Sequence, residues 1–203
     1  VAITEFKKSK GSFVFQSLSF KIGHTSETSN ETYLGLTQED FDANPYRRYA
    51  ASQKDLMKTE QTQFMVRHVA NIMDGLNITT TAYRSDFTRN WYKLDKVEAD
   101  TVSGTVKIAS ILDNPDSYVN AYNAITGLEN TLDDAFHVKA NNRSYYAQGV
   151  QTVLGYKFNT GKVVNELELG ARIHQDQVDR FQWVDKYRTD DGYMKMTTKG
   201  TPG

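Results

Sequence analysis

Apolar and polar residues alternate along this chain in five runs, at 12–23, 59–72, 76–87, 145–158 and 164–175. The clearest is ELELGARIH, where Leu167, Leu169, Ala171 and Ile173 interleave with Glu166, Glu168, Arg172 and His174. Side chains in a strand point alternately to opposite faces, so one face is aliphatic and the other charged. The charged face must meet water, because burying it would be costly. The first run sets Val14, Leu18, Phe20 and Ile22 against Ser17, Ser19 and Lys21. The second sets Phe64, Val66, Ala70 and Ile72 against Gln61, Gln63, Arg67 and Asn71. The third is threonine-rich and alternates weakly; it is read with Tyr83 and Phe87 on the apolar side and Arg84 and Asp86 on the polar side. In the fourth, Tyr146, Val150, Leu154 and Tyr156 share one parity, and Ala147, Gly149, Gln151, Val153 and Gly155 the other. Each run exceeds the roughly 5–6 residues of a mean globular strand and the roughly 9–11 that cross a bilayer at a tilt.

The connections are uneven. Met73-Asp74-Gly75 and Asn159-Thr160-Gly161-Lys162 read as tight turns, whereas long polar stretches follow the first, third and fifth runs. Short turns at one end and long loops at the other are the habit of outer-membrane barrels. A soluble sheet with one solvated face satisfies the same alternation. The long connections carry helix signals. Thr37 with Glu39 and Asp40 reads as an N-cap with an acidic first turn, stopped before Pro45. Asn114-Pro115 reads as a cap followed by proline, with Val119, Tyr122 and Ile125 at helical spacing and Gly127 as the stop. Such a helix either covers the mouth of a barrel or packs on a surface for stability.

Composition narrows the class. Twenty-four basic residues against twenty-five acidic ones give no nucleic-acid footprint. Twelve Tyr and ten Phe with three Pro favour strands. The chain has no cysteine, which excludes disulfides and thiolate metal sites. His24, His68, His137 and His174 are dispersed, with no ligand spacing among them. No nucleophile elbow, phosphate loop or dinucleotide fingerprint is present, so an enzyme is not expected. Asp133-Asp134 reads as a turn. The last residues, TTKGTPG, read as loop, and the chain reads as a fragment throughout its 203 residues. Arginine beside aromatics recurs: Arg47 and Arg48 between Tyr46 and Tyr49, Arg89 near Trp91, Arg143 near Tyr145, Arg180 beside Phe181. Arginine's planar fork suits carboxylates, so these five are candidate contacts for an anionic ligand. Arg67, Glu168, Arg172 and His174 are the expected lumen-facing polar positions.

The segments ETYLGLTQEDFDANPYRRYAASQKD, TEQTQFMVRH, TTTAYRSDFTRNWYKLDKV, KANNRSYYAQGVQTVLGYKF and LGARIHQDQVDRFQWVDKY resemble the barrel of TonB-dependent outer-membrane receptors, nearest the ferric-dicitrate-receptor-like group. The resemblance implies an all-β fold, with this chain as about five strands of a roughly 22-stranded barrel that a plug domain fills. It implies a bacterial outer-membrane location and import of a ferric chelate, ferric citrate or a similar siderophore. Iron then travels as cargo, not as a resident cofactor. The partners it implies are that chelate, outer-membrane lipid, and an inner-membrane energy-transducing TonB complex reached through an N-terminal part lying ahead of this chain. No plug, coupling box or terminal aromatic strand is recognisable. The other readings are the same fold with another cargo (a carbohydrate, cobalamin or other metal chelate), a passive porin, or a soluble β-sheet binding protein.

Overall fold

The structure is a computed structural model and describes residues 2–9, 15–98 and 104–203. Among these, eight strands form one mostly antiparallel sheet. They are β1 (Ala2–Ser9), β2 (Phe15–Ser29), β3 (Leu56–Met73), β4 (Leu76–Val97), β5 (Val106–Lys107), β6 (Phe136–Thr160), β7 (Val163–Asp190) and β8 (Tyr193–Thr198). The order is β1-β2-β3-β4-β6-β7-β8, with β5 paired to β4, so strands follow one another across the sheet as a meander.

All five expected strands are present, and all differ in extent. The expected Val14 facing lies outside the described residues. The strands reach 22, 25 and 28 residues in β4, β6 and β7, and run far into stretches that read as loop. Ladder hydrogen bonds hold these extensions whatever their side chains, so hydropathy does not mark where they stop. Two further corrections concern the count. The N-terminal stretch is β1, paired with β2 from Ala2↔Ile22 to Ser9↔Phe15. The C-terminal stretch contains β8, joined to β7 through Asp191-Gly192 with φ of 50° and 77°. Positive φ at both central residues is the hairpin geometry that Asp-Gly favours. The third connection is therefore a tight turn, and the rhythm of short and long links is less regular than the sequence suggests. Beyond β8 the chain keeps to β7, with Gln182 and Gly203 exchanging backbone hydrogen bonds of 3.2 and 3.1 Å. Among the described residues β7 ahead of Gln182 has β6 as its one neighbouring strand.

The chain divides into two compact units. The first comprises Val1–Ser26, Glu60–Thr88 and Ser144–Asp179. Its described elements are strands and tight turns. Gly75, at φ 74°, closes the β3–β4 turn, and its carbonyl accepts from Lys157 N at 2.7 Å. A Cβ there would lie 2.1 Å from the Lys157 carbonyl oxygen. Gly75→Ala should therefore destabilise this unit by about 2–3 kcal/mol, from left-handed backbone strain and overpacking together. Gly161, also at positive φ but with nothing near its Cβ position, should lose about 1 kcal/mol on the same change. Comparative thermal melts check the difference.

The second unit comprises Glu27–Thr59, Arg89–Arg143 and Arg180–Gly203. Here α1 (Gln38–Ala43), α2 (Ile108–Asp113) and α3 (Val119–Thr126) cover strand segments. Thr37 caps α1 through its side chain, 3.2 Å from Asp40 N, as the sequence predicts. Asn114-Pro115 starts a short 3₁₀ turn, and α3 follows and ends at Gly127 in left-handed conformation. The buried residues of α3 are Ala121, Ala124 and Ile125, while Val119 is exposed, so its inner face is rotated from the expected one. The core joins these to Leu94, Val97, Ile108, Ile111, Phe136 and Val138. α2 has no expected counterpart; it is a six-residue helix that buries Ile108 and Ile111 and has no capping side chain. Asp133-Asp134 is a turn, with Asp134 at φ 65°.

Candidate functional site

The first unit presents a sheet with two unlike faces. On one, polar side chains from five strands form a band. His24 of β2 lies 3.1 Å from Thr62 of β3. On the opposite face Gln61 of β3 and Ser85 of β4 touch at 3.3 Å, so β3 and β4 residues of like parity share a face. Arg84 donates to Gln148 of β6 at 2.9 Å, and Gln148 donates to Gln175 of β7 at 3.1 Å. Two residues along each strand the side chains on this face are Ile22, Phe64, Ala82, Val150 and Ile173. From there the face stays largely apolar. Leu167, Leu169 and Ile173 are 62%, 68% and 81% exposed. The few polar groups in this apolar band satisfy one another: Thr80 and Thr152 at 3.1 Å, His68 and Gln16 at 3.4 Å. From Val150 to Phe158 the band covers about 27 Å of strand, or about 20 Å of height at a barrel's usual tilt.

The opposite face is polar. Tyr83 of β4 lies flat above Gly149 of β6, where a Cβ would come within 2.6 Å of the tyrosine oxygen. Its ring stacks on His174 with centroids 6.0 Å apart. Arg172 donates to the Tyr83 oxygen from Nη2 at 2.5 Å and Nε at 3.1 Å. The phenol oxygen also lies 2.7 Å from His174 Nδ1. Lys157 and Glu166 pair at 2.7 Å on the same face. The expected polar positions Arg67, Glu168, Arg172 and His174 all fall here by strand parity. Arg172 and His174 are brought together; Arg67 and Glu168 are exposed and stand apart from that cluster.

Two expected facings are reversed. Tyr83 and Phe87 lie on the polar face, Phe87 against Tyr145 with centroids 5.7 Å apart. Arg84 and Asp86 lie on the other face, paired at 2.7 Å, with the guanidinium 5.1 Å above the Tyr146 ring. The run 76–87 has too little alternation to set its own register. Its neighbours set it instead: a large ring fits where Gly149 offers no side chain.

The second unit holds the five candidate ligand arginines, and each has a different setting. Arg47 pairs with Asp40. Arg48 ties the loop together, donating to Asn30 O at 2.7 Å and Ser52 Oγ at 3.2 Å. Arg89 on β4 is half-buried, its Nε without an acceptor. Arg143 on β6 is half-buried and Arg180 on β7 exposed. An unexpected feature is Lys93, whose ammonium lies 3.2 Å from the Tyr33 ring centroid and 4.2 Å from that of Trp91. Burial pushes the Lys93 ammonium below its usual range. The aromatic spacing alone could not reveal this cage, since Tyr33 comes from a distant loop.

Two acids organise this unit. Asp40 accepts from Tyr49 Oη at 2.5 Å and Tyr122 Oη at 2.7 Å, and these donors, with Arg47 beside it, hold its carboxyl below the usual range. Asp55 is 3% exposed and accepts from Thr32 Oγ1 at 2.7 Å and Leu94 N at 2.8 Å. Burial nonetheless raises its pKa above the ordinary value and makes it a weaker acid. The two therefore act in opposite directions. Asp40 contributes stability above pH 3.8 that is lost as pH falls through its lowered folded value. Asp55 contributes stability below pH 3.8 that is lost as pH rises through its raised folded value. Asp40→Asn should flatten the acid limb of a near-UV dichroism titration, and Asp55→Asn the limb above it.

Comparison with protein-family models, curated proteins and solved structures finds no match for this chain.

Proposed function

We propose that this chain is part of the transmembrane barrel of a TonB-dependent outer-membrane receptor that imports a ferric chelate, ferric citrate or a similar siderophore. The observation that carries the membrane part is the polar band bordering an exposed aliphatic face on five consecutive strands. A soluble sheet would cover such a face, because contiguous exposed apolar patches are rare on soluble proteins. The height of the band is close to the roughly 25 Å apolar belt of outer-membrane barrels. The polar face behind it suits a water-filled or plugged interior, and the open edge of β7 suits a sheet that continues. The helix-covered second unit suits a ligand-facing surface built from loops. The receptor family and its cargo rest on the sequence resemblance, as does energising by the TonB complex.

Fractionation of the producing bacterium tests the location: the protein should appear in the outer membrane and rise under iron starvation. Uptake of labelled ferric citrate should fall in a deletion strain. Normal uptake there would sink the citrate assignment and leave the barrel reading standing. A protein that remains monomeric without detergent, and does not enter vesicles, would instead favour a soluble sheet.

A further inference from the structure

On the basis of that membrane reading, we propose that the polar band led by Arg84 is a seat for one phosphate-headed lipid, with an acyl chain in the groove beside it. The groove has a volume of about 500 Å³ and is walled by Phe64, Val66, Val150 and Ile173. Its floor is low because Ala82 on the central strand is small. It opens along the apolar face and is headed by Arg84, so a chain lying in it would bring its headgroup to the guanidinium. Unspent hydrogen-bond donors, rather than net charge, favour an acceptor-rich phosphate over a neutral head. Arg84 Nε and Nη2 hold Asp86 at 2.9 and 2.7 Å, and Nη1 holds Gln148 at 2.9 Å. A guanidinium has five N–H groups, so two remain, one on each terminal nitrogen. Each can donate to a phosphate oxygen. Gln148 Nε2 spends one hydrogen on Gln175, leaving a second, and Gln175 has its own amide donors. Tyr146 lies beneath the guanidinium and fixes its plane. The seat is thus rich in donors, with Asp86 as its one carboxylate.

Asp86 gives the proposal a signature. It orients Arg84 but also opposes an incoming anion, so its removal should tighten binding while removal of Arg84 loosens it. A seat that merely held the sheet together would be weakened by both changes.

The test is native mass spectrometry of the purified protein in detergent, with dioleoyl phosphatidic acid, the matching diacylglycerol and inorganic phosphate as probes. One phosphatidic acid should be retained where diacylglycerol is stripped away. Arg84→Gln should weaken that retention by about tenfold, the loss of one charge-assisted hydrogen-bond pair. Arg84→Lys should recover part of it, and Asp86→Asn should strengthen it. Equal retention of diacylglycerol, an unchanged Arg84→Gln protein, or displacement by equimolar inorganic phosphate would each overturn the seat. Sedimentation with phosphatidylcholine vesicles runs in parallel. Integration without a phosphate preference defeats this inference alone, and failure to integrate defeats the membrane reading with it.

Discussion

Phe136→Ala should cost the second unit about 3–5 kcal/mol, the range for emptying the site of a buried aromatic ring. The side chain is 0% exposed and is the largest of the fully buried group that includes Leu94, Ile111, Ile125 and Val138. It comes from the first residue of β6, where the strand enters the core. The neighbours belong to α2, α3 and β4, so a cavity there loosens the helices from the strands that they cover. A loss of that size is a large share of a domain's usual total stability. Loss of the near-UV signal at lower urea concentration is the measurement. Leu128→Ala is the control: the residue is 74% exposed and should change stability by no more than about 0.5 kcal/mol.

Leu169→Arg carries the second large effect, and its size depends on the solvent. Leu169 is the third residue beyond Gln175 on its face of β7, inside the apolar band, and is 68% exposed. In water an arginine at such a position is nearly neutral, because nothing is buried and nothing is displaced. In a bilayer it costs about 2–4 kcal/mol near the midplane of a barrel wall. Folding measured against lipid vesicles should show that loss, whereas Glu168→Leu on the opposite face should not. An equal, small effect for both in lipid would count against an aliphatic face turned to the membrane.

The legibility of this chain followed its side-chain contrast. ELELGARIH separates aliphatic from charged residues so sharply that its faces could be assigned from sequence, and Arg172 and His174 do fall together. TTTAYRSDF has little contrast, and its facing was reversed because Gly149, more than sixty residues away, decides where the Tyr83 ring can lie. Helix caps were legible for a related reason: Thr37 and Gly127 act on backbone within a turn of themselves. Strand ends were not, because β4, β6 and β7 continue on hydrogen bonds to neighbours rather than on hydropathy. The Asp191-Gly192 hairpin was legible in principle from the dipeptide alone. Asp55 carries no local signal at all; its partners Thr32 and Leu94 are defined by the fold. The same holds for the polar band, each member of which is an ordinary residue until five strands align.

The second unit also has a consequence for how the protein is made. Its residues come from three separate stretches of the chain, and Gln53 reaches Gly192 across 139 positions with a hydrogen bond of 2.6 Å. Contacts that distant carry a high loop-closure entropy and reward the chain only late. The unit is therefore expected to complete late in folding, after the transition state. Damage to its core should accelerate unfolding while leaving the folding rate almost unchanged. Limited proteolysis during refolding should therefore cut around α2 and α3 for longer than within β6 or β7.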